Sequence, residues 1–397
     1  MVCLTLSSKK SCDLEPRRSL LWLFIALTLL FLPGTLGTPG LLAQTQAPGP
    51  NFDVLAKRAA EAREANRLDE AVSLYAKALA LRPRWAEGWW SLGTLEYDRN
   101  NYTAAARAFH QLLPLAPKDG TARVMLGLCE FELGQDAPAL KHLQEGRALG
   151  IANNQQLHEV MLYHEGILLL RSSTFKMAQN TFSTLCKEGN QSEQVLTGLA
   201  LAILRITPQQ GPPESSAQAG VVRRIGHATC LTAQRKFDQA KQEYSDLTNE
   251  YPDYPNLHNA FGMYFVEAND TSAAVEQFKQ EIQRDPENVA ARLEIAVALY
   301  KVDSQAALPY AEEAVTLNPR LPFPHYLLGL IYLDTDNYLK AIPELEIAEK
   351  AFPNDARVFF ALGSAYSRAG RKQDAERART TFERLKKESG PDSSASY

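Results

Sequence analysis

The sequence has little excess charge of either sign: its 397 residues include 42 lysines and arginines and 46 aspartates and glutamates, a net charge of −4. Such a chain carries no strong positive field, so we expect no nucleic-acid partner. It also lacks a glycine-rich phosphate loop, a C-x-x-C pair and a G-x-S-x-G turn, the local patterns of many catalytic sites. The sequence therefore predicts a protein that is not an enzyme and uses no cofactor. An enzyme is kept as a distant alternative.

Two histidine–glutamate pairs come closest to a metal site. A zinc-protease helix needs the pattern H-E-x-x-H, which places both histidines on one face. Here the pairs begin at His158 and His164, with Leu162 where the second histidine would stand. Six residues of separation turn two side chains about 120° apart on a helix. We predict a polar helix surface and no metal site.

Cysteine is sparse, with five residues in the chain. Cys3 and Cys12 belong to the N-terminal segment described below, which leaves Cys129, Cys186 and Cys230. An odd number without common spacing does not predict a disulfide framework. We expect buried free thiols, and one opportunistic pair stays open.

The one long apolar run, residues 20–32, follows Arg17 and Arg18 and ends at Pro33. Its helical length of roughly 20 Å falls short of the ~30 Å hydrocarbon core of a bilayer. A basic flank, a short apolar core and a small-residue exit are typical of a secretory signal peptide. We predict a signal peptide at 1–43, a linker at 44–51 and an exported protein, periplasmic or extracellular. An uncleaved membrane anchor at 20–32 and a buried helix are the alternatives, and we expect membrane contact only through this segment.

The rest of the chain is periodic. Ala71, Ala105 and Ala139 stand 34 residues apart, and Ala240 and Ala274 show the same interval again. Each unit holds two stretches with apolar residues at helical spacing. A fixed period in this range indicates one supersecondary unit repeated along the chain, so the sequence predicts a stacked array.

One unit shows the hallmark residues most fully. It has Trp89, Gly93, Ala105, Phe109 and Pro117. These residues resemble the tetratricopeptide repeat, whose pattern is W-x2-L-G-x2-Y, then A-x3-F, then P. The resemblance covers roughly residues 52–389. It implies an all-α fold, an α-solenoid of stacked helix-turn-helix units that form a right-handed superhelix.

The register of the repeat divides the array. We predict about four repeats at 52–190 and about five at 221–389, followed by a disordered tail at 390–397. Between them, 191–220 is interpreted as an orphan helix, about Ser192 to Ile206, and an exposed proline- and serine-rich loop. A decayed repeat is an equally good description of this break.

The resemblance also implies where a partner binds. In this family the first helix of each repeat lines a concave groove, and members that grip a terminal carboxylate place Lys, Arg and Asn there. This chain has Glu87, Ser91 and Thr94 at such positions, so carboxylate capture is not expected. We predict a non-catalytic scaffold or adaptor that binds a protein or peptide; a membrane-tethered subunit of a larger cell-envelope assembly is the alternative. The predicted groove residues, which would otherwise pack within the array, are Trp90, Tyr97, Leu128, Phe131, Met263, Leu293, Tyr300, Phe323, Tyr326, Leu330 and Phe360.

Overall fold

The computed structural model describes residues 51–151, 154–208, 216–300 and 302–389. Nineteen α-helices and no strand lie within these ranges, which confirms the predicted all-α solenoid. None of these helices is long and apolar enough to cross a membrane. The predicted signal peptide or anchor at 1–43, the linker up to residue 50, loop residues 209–215 and the tail at 390–397 lie outside the described residues.

The first part of the array consists of helix pairs. The chain enters α1 at Asn51, whose side chain accepts a hydrogen bond from the backbone N–H of Asp53, an ordinary cap of a helix N-terminus. Four consecutive pairs follow. Their helices are α1 Phe52–Glu64, α2 Leu68–Leu81, α3 Ala86–Asp98, α4 Tyr102–Leu112, α5 Gly120–Glu132, α6 Asp136–Leu149, α7 Gln155–Arg171 and α8 Phe175–Lys187.

The periodic residues hold each pair together. A Cβ added to Gly93 on α3 would lie 2.8 Å from the Phe109 ring on α4, and Ala105 is fully buried. Gly166 and Phe182 repeat this arrangement between α7 and α8. A small residue in one helix thus lets an aromatic ring of its partner approach closely, which fixes the spacing of the two helices.

The break contains one helix more than the pairing needs. The predicted orphan helix is α9, Glu193–Ile203, and it is followed by α10 Ser216–Ala233 and α11 Phe237–Glu250. The predicted loop up to residue 220 is too long, because α10 already begins at Ser216. Val221 and Val222 of α10 are buried, and residues 216–220 before them already belong to the same helix.

Four further pairs complete the array. The last of the described helices, α19, is strongly charged, with Asp374 in its first turn and Lys386 and Lys387 in its last. The bounds are α12 Leu257–Glu267, α13 Thr271–Arg284, α14 Val289–Tyr300, α15 Ser304–Leu317, α16 Pro322–Asp334, α17 Tyr338–Ala351, α18 Ala356–Arg368 and α19 Lys372–Ser389.

The extra helix changes which helices stack on one another. Before the break the odd-numbered helices contact each other across repeats, as α5 with α7 and α7 with α9. After it the even-numbered helices do so, as α10 with α12, α14 with α16 and α16 with α18. Helix α10 packs on both α9 and α11 and also contacts α8 and α12. It therefore serves as the second helix of one pair and the first helix of the next.

The expectation of free thiols is wrong for two of the three cysteines. Cys186 on α8 and Cys230 on α10 form a disulfide with their Cα atoms 5.6 Å apart, within the ordinary range for such a bond. Cys129 is a buried free thiol, as expected, and burial raises its pKa to about 12. The open alternative of one opportunistic pair is the one that the structure shows.

Candidate functional site

Three of the four predicted groove residues of the first block, Trp90, Tyr97 and Phe131, are half-buried and in contact with neighbouring rings. Trp90 meets Phe109 edge to face at 5.8 Å between ring centroids. Phe131 meets His164 edge to face at 4.5 Å between ring centroids, and the Arg171 guanidinium lies 4.7 Å from the centre of the Phe131 ring. Tyr97 packs against the same core as Phe131. These side chains therefore present only part of their surface to solvent.

Two of the predicted residues do not fit a surface role. Leu128 is only 2% exposed and belongs to the core between α5 and α7. Met263 is 9% exposed and belongs to the core around α12. The family position predicts a groove-facing side chain, but neighbouring helices cover both residues. Leu128 is therefore a core residue, and Met263 shows only an edge to solvent.

The predicted residues of α14 and α16 form a coherent surface. Leu293, Tyr300, Tyr326 and Leu330 are half-buried, and all four pack on one core that extends from α14 to α19. Burial, with Asp334 adding to it, raises the pKa of Tyr300 to about 12, and Tyr326 contributes to the same shift. Burial also raises the pKa of Tyr326. Both phenols therefore stay neutral and can donate hydrogen bonds from a largely apolar surface.

Phe323 and Phe360 are the exposed members of the predicted set. Phe323 is 46% exposed and lies 6.4 Å from Tyr326 between ring centroids, while Phe360 is 62% exposed and lies 5.5 Å from Phe382 on α19. Phe360 also lines a cavity of about 320 Å³ between α18 and α19. We call Tyr300, Phe323, Tyr326, Leu330 and Phe360 the aromatic surface.

Sequence reasoning missed the other side of this cavity, which Arg379 and Phe382 line. The signal was present in the repeat. Four residues after the small alanine, other units carry Phe109, Phe182 or Phe278, which fill the space beside a glycine. Arg379 holds that position in the last unit. Its side chain does not fill the space beside Gly363, because a Cβ added there would lie 3.5 Å from Arg379 Cγ, an ordinary contact distance.

The two histidines that resembled a metal site are separate. His158 Nε2 lies 3.2 Å from a carboxylate oxygen of Glu188. His164 is not on the polar surface we predicted: burial lowers its pKa, and its Nδ1 donates to the carbonyl oxygen of Val160 at 2.7 Å. Within the described residues no group of three or more potential ligands is placed to hold a metal ion.

Comparison with known families agrees with this architecture. One family model described as tetratricopeptide repeat matches residues 57–119, 91–153, 259–322 and 326–393, and a second model with the same description matches 226–254. The chain belongs to the tetratricopeptide repeat family. Such repeats generally mediate protein–protein interaction and typically have no catalytic role. The chain is therefore a scaffold for protein interaction.

Individual relatives are distant. The chain is 27% identical to Superkiller protein 3 of Schizosaccharomyces pombe over 135 residues, which are 32% of this chain but 10% of that protein. Among solved structures, MamA from Desulfovibrio magneticus RS-1 is 21% identical, covers 44% of this chain and 97% of its own, and superposes with a TM-score of 0.39. A further MamA structure is 20% identical with a TM-score of 0.40, covering 45% of this chain and 97% of its own.

Proposed function

We propose that this protein is an exported, non-catalytic scaffold that binds an extended or helical protein segment on the aromatic surface of its C-terminal repeats. The observation that carries the proposal is the exposure of Phe323 and Phe360. Aromatic side chains of this size supply much of the binding energy at protein interfaces when a partner covers them.

The surroundings of these two rings support a binding role. Tyr326 and Leu330 on α16 extend the apolar area beside Phe323, and Tyr326 carries a hydroxyl that can pair with a partner's backbone. The cavity beside Phe360 offers Arg379 together with an aromatic wall. Apolar anchors with a few polar groups at the edge are the usual make-up of a protein-binding surface.

The test is a comparison of two double variants. Phe323→Ala with Phe360→Ala removes the exposed rings, and Leu339→Ala with Ile347→Ala removes two exposed apolar side chains of α17, one of them 70% exposed. Partners recovered with the purified protein are quantified by mass spectrometry. We expect partners that are lost with the first variant and retained with the second. Equal recovery by both would contradict the aromatic surface as the binding site.

We also propose export, for two independent reasons. Residues 17–34 have the charge and apolar pattern of a signal peptide. The Cys186–Cys230 disulfide belongs to the class of bonds that persist mainly in oxidising compartments outside the cytosol. The membrane-tethered alternative keeps the same apolar run as an anchor.

Mass spectrometry of the N-terminus tests the export proposal. We expect the protein from its native host to begin near residue 44 and to be found outside the cytosol. A chain that begins at Met1 in the membrane fraction would replace the secreted form by the tethered one. A chain that begins at Met1 in the cytosol would refute both.

A further inference from the structure

A second cleft lies where the repeat is broken. Helix α10 contacts both α8 and α12. As a result α8, the second helix of its pair, and α12, the first helix of its pair, face each other across α10. Between them lies a cleft of about 290 Å³. It is separate from the aromatic surface, which lies on α14, α16 and α18.

One wall of the cleft is polar. It consists of one face of α8, whose lining residues are Lys176, Gln179, Asn180, Ser183, Thr184 and Lys187. Their separations follow the i, i+3, i+4, i+7 spacing of a single helix face. The twelve residues from Lys176 to Lys187 span about 16 Å along the helix, with a lysine at each end of the face and amide and hydroxyl groups between them.

The opposite wall is largely apolar. It includes Phe237 and Tyr244 on α11 and Ala260, Met263 and Tyr264 on α12. Tyr244 and Tyr264 are both largely buried, so this wall is well packed. Ile203, at the end of α9, also lines the cleft. A ligand would therefore meet hydrogen-bonding groups on one side and aromatic and aliphatic groups on the other.

The charge of the cleft is positive. Lys176, Lys187 and Arg235 line it, and none of them forms a salt bridge with any residue that the structure describes. Lys176 lies near enough to Glu294 to offset part of the rise that burial causes in the pKa of that carboxyl. Glu267 is the single carboxylate among the described lining residues. The cleft is therefore complementary to a ligand with carboxylate groups.

A disulfide and two hydrogen bonds fix the helices that form the walls of the cleft. The Cys186–Cys230 disulfide joins α8 to α10, and Gln234 Nε2 donates to the carbonyl oxygen of Cys186 at 2.8 Å. On the other side, the Tyr264 hydroxyl donates to the carbonyl oxygen of Phe237 at 3.1 Å. A cleft with fixed walls loses less entropy when it binds than one that must first form.

We propose that this cleft binds an extended polypeptide segment with acidic side chains. The length of the α8 face matches about five residues of extended chain. Gln179 and Asn180 are placed to pair with its backbone, and the basic side chains with its carboxylates. A compact anion would meet only one end of such a face. The apolar wall suits side chains that point the other way, as alternate residues of an extended chain do.

A peptide selection tests this proposal with the intact, disulfide-bonded protein. A phage library of random heptapeptides is panned on the wild-type protein, and affinities of selected peptides are measured by fluorescence anisotropy. We expect enrichment of peptides that alternate acidic and apolar residues. For these, Lys176→Ala with Lys187→Ala should weaken binding about tenfold, because two paired charges are lost. Raised salt should weaken wild-type binding as well.

Controls separate this site from other causes. Lys77→Ala with Lys118→Ala removes the same charge from exposed positions elsewhere and should leave affinity unchanged. Phe323→Ala with Phe360→Ala should do so too, so that failure of the aromatic surface and failure of the cleft are distinguishable. Circular dichroism checks the fold of every variant. No enrichment, selected peptides without acidic residues, equal affinity in the Lys176/Lys187 variant, or equally tight binding of free glutamate would each overturn the proposal.

Discussion

Cys186 on α8 is bonded to Cys230 on α10, and the disulfide spans the whole of α9. The bond therefore lies where the stacking of the array changes from odd-numbered to even-numbered helices. Elsewhere each pair is held to the next by repeated apolar contacts. Here a covalent link joins two helices that a regular repeat would not bring together so closely.

Removing this disulfide should lower stability substantially. It closes a loop with a sequence separation of 44 residues, and the chain-entropy relation gives about 4 kcal/mol for a loop of that length. We expect urea unfolding of the wild-type protein to shift to lower urea when a reductant is added. The variant Cys186→Ser with Cys230→Ser should unfold at low urea with and without reductant.

A thiol titration provides the check on this prediction. The denatured, unreduced protein lacking residues 1–43 should show one reactive thiol, that of Cys129. Three reactive thiols, or an unfolding curve that does not respond to reductant, would show that the bond is absent or makes no contribution.

A buried hydroxyl pair near the cleft should be strongly coupled. Thr229 Oγ1 donates to the carbonyl oxygen of Ile225 at 2.7 Å, so the Tyr244 hydroxyl, also 2.7 Å away, is the donor to Thr229. Burial raises the pKa of Tyr244, which keeps its proton in place. Thr229→Val leaves the phenol without its partner, and such a loss costs about 1–3 kcal/mol.

A double-mutant cycle measures this coupling by urea unfolding. Tyr244→Phe alone should also destabilise the protein. Adding it to Thr229→Val should cost little more, because the unsatisfied group is then gone. Strict additivity of the two substitutions would argue against the hydrogen bond. Thr184→Val is a control for the threonine-to-valine change itself, because Thr184 is a half-buried residue of α8 whose hydroxyl also donates to a backbone carbonyl, that of Asn180.

The repeated parts of the fold were predictable because their causes are local and periodic. Gly93, Ala105 and Phe109 recur at equivalent positions, and the structure shows a ring packed against the glycine of its own pair. The same spacing located the helices of each pair. The family position also predicted a surface role for Phe360, whose side chain is 62% exposed.

The features of the break were not predictable in the same way. Cys186 and Cys230 come together only because α9 is interposed and α10 packs against α8. That contact is set by tertiary packing, and no spacing rule within the repeat indicates it. Leu128 shows the same limit on a smaller scale. Its family position predicts exposure, but the way α7 packs against α5 covers it.

The buried carboxyl of Glu165 should make stability depend on pH. Burial raises its pKa, against the opposing effect of Arg147, whose Nη1 lies 3.0 Å from Oε2. The folded state then holds its proton at pH values where the unfolded state has lost it. Stability from this group is therefore greatest at low pH and falls as pH rises from about 4.5 through the folded-state pKa.

Glu165→Gln isolates this contribution. The free energy of unfolding is measured in urea from about pH 4 to about pH 8, the range over which a carboxyl with a raised pKa such as that of Glu165 is expected to titrate. The difference between wild type and variant should move in favour of the variant as pH rises. Neighbouring His164, whose pKa burial lowers, is present in both proteins and largely cancels in the difference. A difference that is constant with pH would show that Glu165 is ionised alike in both states.

Two glycine substitutions should act in opposite directions. Gly226 on α10 lies against the backbone of α9, and an added Cβ would fall under 3.0 Å from the carbonyl oxygen of Leu196. Backbone cannot rotate away as a side chain can, so Gly226→Ala must push α9 and α10 apart.

Gly363 on α18 has only ordinary contacts, the nearest being Arg379 Cγ at 3.5 Å. Gly363→Ala should therefore stabilise the protein by about 0.5–1 kcal/mol through helix propensity alone. We expect the midpoint of thermal unfolding to fall for Gly226→Ala and to rise slightly for Gly363→Ala. A rise for both would mean that α9 and α10 are packed less closely than the structure shows. Helix α10, which lies between α8 and α12 at the bottom of the cleft, would then be placed differently.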